Sequence, residues 1–329
     1  MGLPVTVYRW DDAGAPQITD RKPSEILNIL RKCLVDGYGT KSPLGWSVVF
    51  DEPSQFKTVF RNDPTLGTGS CVSVSPRNGL NNAGVMLDFV PAVDFVDINT
   101  SYRRGYSAGV HSFLTSMTKW FVIGNATGFY IIVSDTSPVS GYDKRYDDLC
   151  FVGDFNSVIP ADAGKFIALN TTNTVGDDSY ASHNHWSYTF ANTWYTPGTT
   201  SPVGKPLKLY NADGADEYRE YGVTLPFSPY NGNSATKLAT HRSGVYAPIY
   251  IQLAGSTLGN MSLDVNGDHI MASSVSPTLR GFMPGLKIEA TPRYASESWP
   301  VFDVINGQQH LLLRSQTTSA FTWLNCEEW

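Results

Sequence analysis

The chain has 329 residues, only 16% of them charged, a formal net charge of −6, and many Gly (29) and Pro (20) residues. This composition favours strands and polar loops over long helices, and the lack of a basic run longer than Arg103-Arg104 argues against direct nucleic-acid binding. There is no apolar stretch of about 18 residues and no secretory pattern at residues 1–12, so we expect neither a membrane span nor export.

The first predicted elements are a strand at 5–10 and an amphipathic helix at 23–35. Pro23 suits a first helical turn, and Glu25 places negative charge near the positive end of the helix. Apolar residues then recur at three- and four-residue steps. They are Ile26, Leu27, Leu30, Cys33 and Leu34. A helix this short normally persists by covering one face of a sheet, and we expect it to do so here.

The helix is predicted to end at Gly37, since glycine readily takes the left-handed conformation that closes a helix. Trp46, Val48 and Phe50 then alternate with other residues, which predicts a strand. The segment 33–50 therefore joins the helix to the start of a sheet, and we treat it as the organising segment of the fold.

Further strands are predicted in the first two hundred residues at 55–60, 70–75, 85–90, 149–152, 165–169 and 188–195. The clearest hairpin pairs 120–123 with 129–133 across the glycine-containing loop 124–128. Both runs are almost continuously apolar, so we expect both faces of this hairpin to be covered.

The segment 196–206 combines Pro, Gly, Ser and Thr and is the best linker in the sequence. We therefore predict two domains, 1–200 and 201–329. Strands in the second are predicted at 207–210, 217–225, 246–253, 269–274, 286–290, 301–305, 309–314 and 321–325, with a tight turn at Asn306-Gly307. The predicted fold class is mainly β, with sandwich- or barrel-like domains and one short N-terminal amphipathic helix, so that the N-terminal part is α+β.

The four cysteines, Cys33, Cys71, Cys150 and Cys326, lie far apart and form no C-x-x-C pair. Three disulfide connectivities are open to four cysteines, but a chain of this size without an export signal needs none. We expect four reduced, mostly buried thiols.

Two short patterns suggest metal ligands, but neither is complete. His183 and His185 share a strand face, yet the spacing fixes no third ligand for zinc. Asp264, Asn266 and Asp268 hold positions one, three and five of a calcium loop that lacks the required acidic residue at position twelve. We predict no bound metal, with calcium between subunits left open.

No catalytic constellation is found in the sequence, which has no G-x-S-x-G, no Walker A loop and no G-x-G-x-x-G after a strand. Adjacent carboxylates at Asp147-Asp148 and Glu327-Glu328 point apart on a strand, and we interpret them as solvated loop charge. The prediction is a protein that is not an enzyme and has no cofactor.

Aromatic residues, 12% of the chain, are dense at 186–195 and 218–230. The common interpretation is burial within a sheet. The alternative is a protein interface or a glycan-binding surface, for which the candidates are Trp186, Trp194, Tyr195 and Tyr230.

Several short segments, in order along most of the chain, resemble a family of tailed-bacteriophage virion proteins encoded among head and tail structural genes. The segments are Val5-Thr6-Val7-Tyr8 with Gly14-Ala15-Pro16, Leu34-Val35-Asp36-Gly37-Tyr38-Gly39 with Lys41 and Gly45-Trp46, Val152-Gly153-Asp154-Phe155, and Leu279-Arg280-Gly281 with Pro284-Gly285. The resemblance implies a structural part of the virion, without catalytic residues.

From this resemblance we expect a subunit of the neck, tail or baseplate region, assembled in the host cytoplasm and localised in the virion. Its expected partners are other virion proteins and further copies of itself. One alternative is a capsid decoration protein or a carbohydrate-binding adhesin in a tail fibre or collar appendage. A lesser alternative is a glycan-degrading enzyme, which needs two carboxylates about 5–10 Å apart in a groove.

Overall fold

The computed structural model describes residues 2–112, 114–135, 147–170, 207–224, 246–253, 272–289, 298–313 and 321–329. Over these residues the protein is mainly β, with antiparallel strands in three sheets and one short α-helix near the N-terminus, which confirms the predicted fold class. None of the helices in this part of the chain has the length and apolar character that a membrane span needs.

The strands are numbered β1 to β19 in chain order. The N-terminal sheet holds β2 (Ser47–Glu52), β3 (Lys57–Arg61), β4 (Cys71–Pro76), β5 (Leu87–Phe95), β6 (Ser101–Arg104) and β7 (Ala108–Val110). The central sheet, in spatial order, holds β1 (Thr6–Arg9), β8 (Lys119–Gly124), β9 (Gly128–Ser134), β10 (Asp147–Asp154) and β12 (Phe166–Asn170). The C-terminal sheet holds β11 (Asn156–Ser157), β13 (Leu207–Tyr210), β14 (Tyr218–Thr224), β15 (Tyr246–Leu253), β16 (Leu279–Glu289), β17 (Phe302–Ile305), β18 (Gln308–Leu313) and β19 (Phe321–Asn325).

The central sheet is buried on both faces. Successive side chains of a strand point to opposite faces, so Trp120 and Val122 of β8 pack towards the helix and the N-terminal sheet. Phe121 and Ile123 pack on the other face, against the C-terminal sheet. All seven residues of β9 are buried. This confirms that both faces of the β8–β9 hairpin are covered, and it makes the protein a stack of three β layers.

The helix α1 spans Pro23–Arg31 and continues as a π-helical turn, Lys32–Asp36, over the stretch predicted as 23–35. It ends at Gly37 as predicted, but with φ 77° and ψ 171° this glycine does not adopt the left-handed helical conformation expected of a closing glycine. The amide of Trp46 donates to the carbonyl oxygen of Leu34 at 3.1 Å, and its indole donates to the carbonyl oxygen of Asn125 at 3.1 Å. Trp46 therefore ties the end of the helix to the central hairpin.

One hydrophobic cluster extends across both predicted domains. It contains Phe121 and Leu169 from the central sheet, together with Leu207, Ile251 and Leu324 from the C-terminal sheet. The strand β11 also pairs with β16. The predicted boundary at 200/201 lies outside the described residues and stays a prediction, but the sheets on its two sides share a core.

All four cysteines are buried free thiols, as predicted. Burial raises the pKa of Cys71 to about 12 and that of Cys326 to about 12. Thiolate, the reactive form, is therefore scarce at these positions near neutral pH.

Candidate functional site

The most distinctive exposed surface lies where β6 of the N-terminal sheet meets β13 and β14 of the C-terminal sheet. In β13, Leu207 and Leu209 are buried while Lys208 and Tyr210 are partly exposed. This alternation follows from the two-residue period of a strand. It leaves one face of β13 carrying a cation and an aromatic ring.

The facing strand β14 adds a second ring. Tyr210 and Tyr218 are directly opposite in the β13–β14 register, and their ring centroids lie 6.0 Å apart in an edge-on arrangement. The Nζ of Lys208 lies 4.2 Å from the ring centroid of Tyr218 and 5.2 Å from that of Tyr210. Two cross-strand tyrosines thus hold one lysine by cation–π contacts.

The N-terminal sheet contributes a second cation. The guanidinium carbon of Arg103 lies 4.9 Å from the ring centroid of Tyr102 and 6.0 Å from that of Tyr210. The Arg103 Nε also donates to the exposed carboxylate of Asp216 at 3.3 Å. We call Tyr102, Arg103, Lys208, Tyr210 and Tyr218 the tyrosine–cation surface.

Two hydrogen bonds join the end of β6 and the segment after it to the C-terminal sheet at this surface. The hydroxyl of Tyr210 donates to the carbonyl oxygen of Arg104 at 3.2 Å, and that of Tyr106 donates to a carboxylate oxygen of Glu220 at 2.6 Å. Burial and this carboxylate both raise the pKa of Tyr106, so its hydroxyl stays protonated and donates. These bonds hold Tyr210 in position and join the two sides on which the surface lies.

Exposure and chemistry suit this surface to binding another macromolecule. Tyr102 is 48% exposed and Tyr218 is 45% exposed. Tyrosine and arginine are enriched where proteins meet, because they offer large contact areas with polar ends. A partner covering the two rings would also remove from water the cations already held against them.

A second polar group of residues lies at one end of the central sheet. Nδ1 of His111 contacts a carboxylate oxygen of Asp148, which also accepts the His111 backbone N–H at 3.0 Å. Both side chains are buried, which corrects the interpretation of Asp148 as solvated loop charge. This contact connects β10, which contains Asp148, with the segment that follows β7, which contains His111. Within the described residues, no three His, Cys, Asp or Glu side chains form a metal-binding group.

Comparison of the sequence with known families and curated proteins gives no relative. No family model matches the chain. No curated protein matches its sequence significantly. The tyrosine–cation surface is therefore argued from its own contacts.

The residues predicted as metal, interface or glycan candidates lie outside the described residues. They are His183, His185, Trp186, Trp194, Tyr195, Tyr230, Asp264, Asn266 and Asp268. Of the aromatic-rich stretch 218–230, the structure describes the exposed Tyr218 and the fully buried Tyr221. Burial within a sheet is therefore confirmed at Tyr221, and the interface or glycan-binding alternative stays a prediction. The sequence did not identify Tyr102 and Arg103 as candidates. They lie beside β13 only in the folded protein, and β13 is distant from them in the sequence.

Proposed function

We propose that the protein is a structural subunit of a tailed-bacteriophage particle, located in the neck, tail or baseplate region. It assembles in the host cytoplasm with other virion proteins and with further copies of itself. In this proposal the three-layer β stack is a rigid body, and the tyrosine–cation surface is where a neighbouring protein binds.

The observation that carries the proposal is that two exposed tyrosines each lie against a cation, while Arg103 and Tyr210 join the two sheets beneath them. Ordering flexible side chains on binding costs free energy, so a prearranged surface binds more tightly for the same area. Such an arrangement suits a subunit that must dock in one orientation.

The segments that carry the resemblance to virion proteins occupy structurally demanding places in the fold. The carboxylate of Asp154 accepts hydrogen bonds from the Thr68 amide at 2.8 Å and the Thr68 hydroxyl at 2.7 Å. Arg280 is fully buried and Trp46 is almost so. In the proposal, the segments that carry the resemblance serve to determine the fold.

The first test is to purify the particles encoded with this chain and count its copies by quantitative mass spectrometry. If the chain is a subunit of a symmetric ring, we expect a small number of copies per particle, set by the ring symmetry. A capsid decoration protein would be present in far more copies. Particles that contain no copies would refute the proposal.

A second test changes the surface itself. Tyr102→Ala with Tyr218→Ala is expected to reduce incorporation strongly, because both rings are lost, while the double Phe variant keeps the rings and most of the incorporation. Leu80→Ala and Val304→Ala are matched controls, since these side chains are 53% and 66% exposed in the turn between β4 and β5 and in the edge strand β17. Equal incorporation of the double Ala variant and the controls would exclude this surface as the docking site.

A further inference from the structure

A cleft of about 500 Å³ opens on the C-terminal sheet, away from the tyrosine–cation surface. Its walls come from β15 and β16, from the turn between β17 and β18, and from the two ends of the described chain. Aromatic and apolar side chains form most of the lining, among them Tyr246, Phe282, Met283, Leu286 and Trp329. A cleft of this size and character is typical of a small-molecule site.

The indole of Trp329 is fixed in the wall of this cleft. Its Nε1 donates to the carbonyl oxygen of Asn325 at 2.8 Å, and its ring packs edge-on against Tyr130 with centroids 5.3 Å apart. The ring also lies directly over Gly285, where an added Cβ would come within 2.4 Å of the indole nitrogen. Trp329 is therefore a partly buried aromatic ring whose position in the cleft wall is fixed by its own contacts.

A chain of hydrogen bonds places polar groups beside this platform. The amide of Asn325 donates to the side-chain oxygen of Gln308 at 2.8 Å, and the amide of Gln308 donates to a carboxylate oxygen of Glu328 at 2.8 Å. Each donor in the chain orients the next group. The result is a fixed carboxylate and a fixed amide in the cleft, which suit the recognition of hydroxyl groups.

Lys287 of β16 supplies a cation to the same cleft. It forms no ion pair with a carboxylate of the described residues, and burial lowers the pKa of its amine. An anionic ligand group would give this ammonium a partner, and a charge-assisted hydrogen bond is stronger than a neutral one.

We propose that this cleft binds a saccharide that carries a carboxylate. The sugar ring lies against Trp329, its hydroxyl groups bond to Glu328 and Gln308, and its carboxylate pairs with Lys287. Glu328 is the single acid among the described lining residues. The site is therefore assigned to binding, since glycoside hydrolysis ordinarily uses two carboxylates. This site would be separate from the docking surface and does not depend on the virion role.

The test is an NMR titration of the full chain with methyl β-D-glucuronide and with methyl β-D-glucoside, which lacks the carboxylate. We expect the glucuronide to bind about tenfold more tightly, as one added charge-assisted hydrogen bond implies. Lys287→Met should abolish that preference by weakening the glucuronide to about the affinity of the glucoside. Lys57→Met, at a lysine that donates to Asn99 elsewhere on the molecule, is the matched control and should keep the preference.

Trp329→Phe keeps an aromatic ring and Glu328→Gln removes an acceptor charge, and each should weaken both sugars without unfolding the protein, which a thermal melt checks. The proposal is overturned if neither sugar binds, if both bind equally to the unchanged chain, or if Lys287→Met retains the preference. Acetate binding as tightly as the glucuronide would also overturn it, because the cleft would then hold an anion without recognising a sugar.

Discussion

Arg280 and Asp162 form a fully buried, two-pronged ion pair between the C-terminal sheet and the segment that precedes the central strand β12. Two guanidinium nitrogens of Arg280 donate to the two carboxylate oxygens of Asp162, each at 2.7 Å, and both side chains are 0% exposed. The same guanidinium donates to the carbonyl oxygens of Val275 at 3.0 Å and Tyr210 at 2.8 Å. Four of the five N–H donors of Arg280 are thus used, and they join β16 to Asp162 and to Tyr210.

Arg280→Met is expected to lower the free energy of unfolding by about 3–5 kcal/mol, because it leaves the Asp162 carboxylate buried without its cation. Lys32→Met is the control, since it breaks an i,i+4 pair with Asp36 whose side chains are 40% and 36% exposed, and such pairs contribute about 0.3–0.5 kcal/mol. Urea denaturation measures both. If both variants lowered the free energy of unfolding by the same amount, the buried ion pair would contribute no more to stability than the exposed one.

Gly307→Ala is expected to destabilise the turn between β17 and β18. Asn306 and Gly307 have φ of 54° and 81°, the type I′ geometry that the Asn-Gly pair predicts. An alanine in this left-handed region costs about 1–2 kcal/mol. No atom lies within 4 Å of a Cβ built at Gly307 or at Gly222, so Gly222→Ala is the control for adding a methyl group at ordinary φ. A thermal melt that ranks Gly222→Ala as the less stable variant would contradict this account.

The native protein is expected to resist thiol reagents at pH 8. All four thiols are buried, and burial raises the pKa values of Cys71 and Cys326 to about 12, so thiolate is scarce and inaccessible. Ellman's reagent should not react rapidly with the native protein. In denaturant it should react with four thiols per chain. Rapid reaction of one or more thiols in the folded protein would contradict their burial.

His310 is expected to make stability sensitive to pH on the acid side of neutrality. Its side chain is fully buried, Nδ1 lies 2.9 Å from the carbonyl oxygen of Gln308, and Nε2 has no partner within the described residues. Burial lowers the pKa of His310 below the usual 6.5. Between the two pKa values, the imidazole is therefore protonated in the unfolded chain and neutral in the folded chain. The contribution of His310 to the free energy of unfolding is therefore complete above pH 6.5, and it decreases as the pH falls towards the folded-state pKa.

His310→Gln removes this titration. The difference in unfolding free energy between pH 7 and pH 5, measured by urea denaturation, should therefore be smaller in the variant than in the unchanged protein. Carboxylates elsewhere titrate in both proteins and cancel in the comparison. An unchanged or larger difference in the variant would mean that His310 is not held neutral by the fold.

The local features of the fold could be predicted because they rest on neighbouring residues. The helix near the N-terminus follows from the spacing of Ile26 and Leu30, and the β17–β18 turn follows from Asn306-Gly307. The nearly continuous apolar run of β9 also predicted correctly that both of its faces are covered. Periodicity and turn chemistry are properties of short segments, so one sequence contains them.

Features made by distant segments could not be predicted. β7 pairs with β5 across an intervening strand, with Leu87 opposite Val110, and this pairing leaves no local signal. Two features were also missed within short segments: β6, which forms a hairpin with β5, and the start of β16 at Leu279, which was predicted at 286. The predicted strand 269–274 lies partly outside the described residues, and 272–274 is not strand.

The same limit applies to the candidate surfaces. Arg103 is 113 residues from Asp216, and Tyr106 is 114 residues from Glu220. A single sequence shows the chemistry of such side chains but not which of them meet.

The most direct test of the proposed role is a cryo-electron microscopy map of the assembled particle, at a resolution that shows side chains. The account predicts density for this chain in the neck, tail or baseplate region, with Tyr102 and Tyr218 buried against a neighbouring protein. A map in which the chain is present but both tyrosines face open solvent would contradict the docking surface, and a particle without the chain would contradict the structural role.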